Sequence, residues 1–317
     1  MFKVCKTDAN QKLIKLKKNR LYAGSWINVI NPSSEELEKI SAWTKWDVDA
    51  LKTSLDIDER SRIEQDGKNF MVIVNLPLLD DEGQFDTLPC SMVFTSKNMV
   101  TLCSRENRII GSFTKATSNS FDTKKPTNML LNILYKATQF YLRYLIIINR
   151  KTESIEYSLR NTTNNKELFQ LMEIQKSLVY FTTALRDNQL VLQKLIRMVK
   201  AKTISPILTF SEDDIDLLED IMIENKQAIE MVDMHRTILE SMMDGFASVI
   251  NNNVNQVMKF LAAITIILSI PTMLASFWGM NVNLPLKDSN FGFWYVIAIS
   301  TILTILVILF FRKKKMF

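Results

Sequence analysis

The sequence predicts an α/β domain, then a long helical region, then two transmembrane helices. Three observations carry that expectation. Phe260 to Trp278 is 19 residues without a charge, and Phe291 to Phe311 is 21 more. A bilayer core about 30 Å thick needs about 20 apolar helical residues. Between Thr127 and Asp244 there is no glycine and one proline, Pro206. Apolar residues there recur at three and four: Leu130, Ile133, Leu134, then Phe140 and Tyr144, then Leu168, Leu171, Ile174 and Leu178, which is helical periodicity. Ahead of that region, Gly24, Pro32, Gly67, Pro77, Gly83, Pro89 and Gly111 read as turns that cut the chain into short pieces.

Taken in order, Trp26–Ile30, Phe70–Leu76 and Met99–Cys103 are β-branched or apolar runs of strand length. Ser33 and Glu36, ahead of Leu37 and Ile40, form the pattern of a capping box opening a short helix. The breaks expected in the helical region are Asn161–Asn165 and Thr203–Pro206, giving two antiparallel helices and a third. From Ser211 to Ile270 nothing stops that third helix except a lone Gly245. It enters the first span as a rod on the order of 100 Å long, able to pass movement from a soluble domain to the bilayer. The resulting division is 1–125, α/β domain; 126–256, helical stalk; 257–278, first span; 279–290, external loop; 291–311, second span; 312–317, basic tail.

Composition excludes several functions. Seven glycines among 317 residues, against about 7% on average, argue against glycine-rich phosphate loops. A single histidine, His235, excludes multi-histidine metal sites, and three dispersed cysteines exclude a disulfide framework or a paired zinc motif. Cys5, Cys90 and Cys103 read as reduced core residues of a cytoplasmic domain. The net charge of +5 is small and partly due to the tail, so no nucleic-acid partner is expected. With no nucleophile motif either, the sequence predicts no enzymatic activity.

Residues 1–20 lack the apolar run of a secretory signal, which places the first 125 residues in the cytoplasm. Arg312, Lys313, Lys314 and Lys315 follow the second span, while the loop from Gly279 to Asn290 carries one lysine and one aspartate. The positive-inside rule then puts the tail inside and, with two spans, the N-terminal region inside as well and the short loop outside. A plasma membrane location follows.

The first span carries the chemistry. Asn255, Met258, Ala262, Thr265, Ser269, Thr272 and Ser276 are spaced alternately by three and four, so they share one helical face. Ile264, Ile267, Leu268, Met273 and Leu274 are expected on the opposite face. Such a stripe serves either close helix packing or the wall of a water-filled pore. Two spans cannot enclose a pore, so the second reading requires a homo-oligomer with the stripe toward its axis. Met258 and Leu261 would then be apolar constrictions that gate by dewetting. Gly279 is expected to let the chain leave the helix sharply, and Asn281 would offer a neutral carboxamide to the water shell of a cation that dehydrates reluctantly, such as Mg²⁺.

Gly279-Met280-Asn281, at the end of the first of two spans and ahead of a lysine-rich tail, resembles the CorA family of magnesium transporters. Asn255-Gln256-Val257-Met258-Lys259 is similar to the family's entry to the first span. Asp58-Glu59-Arg60-Ser61-Arg62-Ile63-Glu64 resembles a family segment with proline where Ser61 stands. The resemblance implies a homopentameric funnel: a cytoplasmic α/β domain, a stalk helix, and a pore lined by the first span. It implies that Asn281, supported by Gly279 and Met280, selects hydrated Mg²⁺. Asn255, Met258, Leu261 and Thr272 match pore positions, and Lys259 with Lys313 to Lys315 matches a basic collar at the inner mouth. Asp220 falls where a ligand of a regulatory Mg²⁺ is expected, and that Mg²⁺ would hold the channel closed. No motif secures the partner ligand, although Asp56, Asp58 and Glu59 lie in the right region.

There are departures. The external loop reads Leu284-Pro285-Leu286-Lys287, with an apolar and a basic residue where the family often has an acidic one, leaving Asp288 alone to form an anionic ring. Trp278 replaces the usual tyrosine. Ser211-Glu212-Asp213-Asp214 reads as a helix cap, His235 as structural, and the 16 methionines as packing. Three functions remain: gated Mg²⁺ influx; the same fold moving Zn²⁺, Co²⁺ or Ni²⁺; and a membrane-tethered sensor that conducts nothing.

Overall fold

A computed structural model of the chain describes residues 2–8, 12–16, 22–67, 69–80, 82–114, 117, 121–161, 165–280 and 291–314. They belong to two compact units, Met1–Glu240 and Ser241–Phe317. The first holds β1 (Phe2–Thr7), β2 (Leu13–Lys15), β3 (Ser25–Ile30), α1 (Ser34–Thr44) and α2 (Val48–Thr53). It continues with β4 (Arg62–Asp66), β5 (Asn69–Leu79), β6 (Phe85–Phe94), β7 (Asn98–Cys103), α3 (Arg108–Gly111), α4 (Pro126–Asn161) and α5 (Asn165–Lys200). The helix α6 (Glu212–Trp278) begins in this unit and ends in the second, which also holds α7 (Gly292–Lys313).

The strands form one sheet in the order β2-β1-β3-β7-β6-β5-β4, antiparallel except for the β3–β7 pair. The three expected strands lie within β3, β5 and β7. Both faces of the sheet are covered, so the central strands are apolar throughout instead of alternating. On one face Ile27, Val29, Met71, Ile73 and Val93 pack with Leu37 and Ile40 of α1 and Leu51 of α2. On the other, Val72, Val74 and Met92 pack with Leu130, Ile133 and Leu134 of α4, Leu192 and Leu195 of α5, and Leu218 and Ile221 of α6. Each fully buried aliphatic side chain is worth about 1.5–3 kcal/mol. One core therefore runs across the expected divide at residue 125, where the secondary structure changes from strands to helices.

Local signals hold at the helix starts. Ser33 accepts from Glu36 N–H, and Glu36 accepts from Ser33 N–H, each at 3.2 Å, completing the box that opens α1. At α6, Ser211 Oγ accepts from Asp214 N–H at 3.3 Å and Asp214 Oδ2 accepts from Ser211 N–H at 3.0 Å. The acidic run there is a cap, as expected.

Two of the expected turns are corrected. Pro77 lies inside β5 and Pro89 inside β6. Asn75 turns its N–H away from β6, to Ser61 Oγ and Asn188 Oδ1, and Pro77, two residues on, faces the same way. There β4, which pairs only with Asn69–Ile73, has already ended. Pro89 pairs with Asn75 and faces β7, whose ladder stops at Cys90. Neither missing N–H costs a ladder bond, so both prolines are tolerated.

Candidate ion pathway

Among the described residues two helices are long and apolar enough to cross a membrane: α6, which ends in the second unit, and α7. Asn255, Met258, Leu261, Ala262, Thr265, Ser269, Thr272 and Ser276 are all exposed on α6, while Ala263 is buried and Ile264, Ile267, Ile270, Leu274 and Trp278 are half-buried. From Asn251 to Ala262 α6 is exposed on every side, and beyond that the stripe lies on its exposed side, away from Ala263, Ile267, Ile270 and Leu274. Leu268 and Met273, expected on the opposite side, are instead 64% and 53% exposed. At 100° per residue they flank the hydroxyls, and together with Thr265, Ser269, Thr272, Ser276 and Phe277 they line a shallow depression.

Three of the four hydroxyls in the stripe share an orientation. Thr265 donates to the Leu261 carbonyl at 2.8 Å, Ser269 to Ile266 at 2.8 Å and Thr272 to Leu268 at 3.0 Å. Each hydroxyl has one proton and two lone pairs. With the proton turned back onto the helix, each oxygen presents only acceptor capacity to whatever faces the stripe. Pro271 lies within α6 without ending it.

At the end of α6, Gly279 N–H donates to Ala275 at 3.0 Å and Met280 N–H to Phe277 at 3.3 Å. Gly279 is not among the glycines with positive φ, and a Cβ at that position would meet Ala275 O at 3.4 Å and Ser276 O at 3.5 Å. As far as Met280 the helix tightens, with no left-handed residue. Asn281, the loop residues Leu284 to Asp288, and Lys315 lie outside the described residues. Lys259 on α6 and Lys313 and Lys314 at the end of α7 are exposed, with Lys314 Nζ 5.3 Å from the Phe310 ring centroid. A cavity of about 810 Å³ lies between α6 and α7, lined by residues including Ala275, Trp278, Gly279, Gly292 and Ser300, and the Trp278 indole N–H has no partner.

In the first unit Asp220 is an exposed carboxylate on α6. Among the described residues no group of three or more histidine, cysteine or acidic side chains could hold a metal. Asp56 Oδ1 accepts from Asp58 N–H at 3.2 Å, and Glu59 and Glu64 both pair with Arg62. Among the described residues of one chain, no such group surrounds Asp220. His235 is buried in the helical layer, where desolvation outweighs Glu153 and holds its pKa below the usual histidine value.

The segment from Asp58 to Glu64 has a role the sequence did not reveal. Ser61 Oγ donates to Asn188 Oδ1 on α5 at 2.8 Å. The Asn188 amide and the Tyr141 hydroxyl of α4 donate to the Asn75 carbonyl at 2.8 and 2.9 Å. The Asn75 amide donates to the Glu59 carbonyl at 3.2 Å. This buried clasp fixes the acidic segment to β5 and both helices. The one available signal was the serine standing where the resembled segment has proline.

Comparison with known proteins decides the family. The profile described as CorA-like Mg²⁺ transporter protein matches residues 23–313. The chain belongs to the CorA-like Mg²⁺ transporter family. It is 30% identical to the cobalt/magnesium transport protein CorA of Methanocaldococcus jannaschii, over 91% of this chain and 90% of that one. It is 21% identical to the magnesium transport protein CorA of Helicobacter pylori, over 91% and 89%. The complete structure of the M. jannaschii CorA magnesium transporter superposes with a TM-score of 0.81 at 28% identity, covering 98% of this chain and 97% of that one. The full-length CmaX structure shares the fold at 14% identity, with a TM-score of 0.74 and coverage of 98% and 97%. The expected architecture of an α/β domain, a long helix and two apolar C-terminal helices is that of CorA.

Proposed function

We propose that five copies of this chain form a channel through which hydrated Mg²⁺ enters the cell down the membrane potential. The observation that carries the reading is the exposed stripe on α6, where Thr265, Ser269 and Thr272 turn their hydroxyl protons back onto the helix. Five such faces around an axis would give a wall of oxygen acceptors suited to the water shell of a cation. An inside-negative potential contributes about 2.3 kcal/mol per charge per 100 mV. Asn281, with Gly279 and Met280, would form the selecting ring at the outer mouth, Met258 and Leu261 the apolar gate, and Lys259 with Lys313 to Lys315 the inner collar.

The division into a domain (1–125), stalk (126–256), spans (257–278 and 291–311), outer loop (279–290) and inner tail (312–317) belongs to the same reading, with both termini cytoplasmic. Closure would follow when cytosolic Mg²⁺ bridges Asp220 of one copy to an acidic group of the next; Asp220 and the stripe share α6. The cobalt/magnesium name of the M. jannaschii relative favours Co²⁺ as a second cargo, with Ni²⁺ beside it.

The test is Mg²⁺ entry into proteoliposomes under an inside-negative potential, with wild type beside Asn281→Ala. Wild-type flux that the variant loses supports the reading. Zn²⁺, Co²⁺ or Ni²⁺ moving in place of Mg²⁺ would change the cargo, and a folded oligomer that passes no cation would make the protein a tethered sensor.

A further inference from the structure

Cys90 and Cys103 face each other across β6 and β7. Both thiols are free, and both lie in the core beneath the helices, at 0% and 1% exposure. The backbone bonds define the kind of pair they make. Asn75 directs its N–H away from β6, so Asn75 and Pro89 are a non-hydrogen-bonded pair and Cys90, the next residue, directs its backbone groups to β5. On the other strand the Cys103 carbonyl accepts from Asn31 N–H at 2.9 Å, so Cys103 faces β3. In the β6–β7 ladder the two cysteines are therefore a non-hydrogen-bonded pair. Opposed Cα atoms of such pairs are about 4.5 Å apart and their side chains closest, within the roughly 4.4–6.8 Å that a disulfide spans. Directly opposed residues put their side chains on the same face of the sheet, and both thiols lie in the same core cluster, so the two side chains are neighbours.

We propose that Cys90 and Cys103 are a modification site, a dithiol that closes to a disulfide by exchange with a small disulfide while β6 and β7 keep their register. One cysteine thiolate attacks a sulfur of the small disulfide and expels a small thiolate. The second cysteine thiolate attacks the protein sulfur of the mixed disulfide and expels the other. Two protein thiols and one small disulfide become one protein disulfide and two small thiols. The adjoining Cys103 side chain, and then burial, hold the Cys90 thiol well above its usual pKa, which keeps the closed structure unreactive, so local opening of the hairpin away from the helices sets the rate. Cys5 is buried on β1 opposite Trp26, with β3 between it and β7. It has no cysteine across from it and stops at the mixed disulfide.

The experiment incubates the full-length protein in detergent with oxidised glutathione, with and without urea below the unfolding transition, and maps alkylated, unreduced peptides by mass spectrometry. The expected result is a linked Cys90–Cys103 peptide that forms faster in urea and reverts with reductant. It should also raise the thermal midpoint, because the bond closes without moving the strands. Cys90→Ser and Cys103→Ser should each leave the remaining cysteine as a glutathione adduct, although the wild-type chain alone decides the matter. Separate adducts on Cys90 and Cys103 in the wild type would overturn the proposal. So would thiols that stay unreacted in urea while Cys5 is modified, or a linked protein with a lowered midpoint.

Discussion

In the first unit Asn75, Asn188, Ser61 and Tyr141 direct their donors and acceptors at one another across β5, α4 and α5. In the second, Thr265, Ser269 and Thr272 give their protons to their own helix and leave their oxygens facing outward. The first arrangement binds three elements together, and removing a member leaves a buried group unpaired. Among the described residues the second ties α6 to no other element, and its oxygens face outward. The same residue chemistry joins elements in one unit and faces outward in the other.

That contrast can be broken or sharpened in order of expected effect. Asn281→Ala should abolish Mg²⁺ flux in proteoliposomes while the purified oligomer stays intact by size-exclusion chromatography. Ser269→Leu should also block flux without loss of assembly, whereas Thr265→Val, which keeps the shape and removes the oxygen, should lower it by up to about tenfold, the scale of one hydrogen bond to water. If Thr265→Val conducts normally, the stripe is a packing face. Asn188→Ala should do the converse. Unfolding of the first unit in urea should become easier by about 2–4 kcal/mol, with flux per folded oligomer unchanged. Asp220→Asn should leave maximal flux alone and allow it to persist at internal Mg²⁺ that closes the wild type.

The smallest expected effect belongs to His235. Its folded pKa lies below the usual 6.5, so the unfolded chain takes up the proton first. His235 therefore costs no stability above that value, and stability falls as pH drops below it. His235→Gln should flatten this limb of the stability profile between about pH 7 and 5.

How much was legible in the sequence depended on whether the cause was local. Ser33 and Glu36 announced α1 because a capping box needs only four consecutive residues. The stripe from Asn255 to Ser276 was readable because its period belongs to α6 itself. Pro77 and Pro89 were misread as turns because their tolerance depends on where β4 and β7 end, which neither segment encodes. Leu268 and Met273 were put on the wrong face because their apolar character was weighed above their angle on the helix. The clasp escaped notice because Asn188 lies 113 residues from Asn75 and nothing near either residue points to the other.

The back-bonded hydroxyls also bear on salt. A wall that offers oxygens and withholds protons discriminates between cations and anions by the direction of its dipoles, without carrying a net charge. Fixed charges lose their reach beyond about 10 Å at 0.1 M ionic strength. Dipoles in direct contact with the water shell have no such reach to lose. An assembly walled by α6 would therefore keep its exclusion of anions in concentrated salt, where a ring of carboxylates would not.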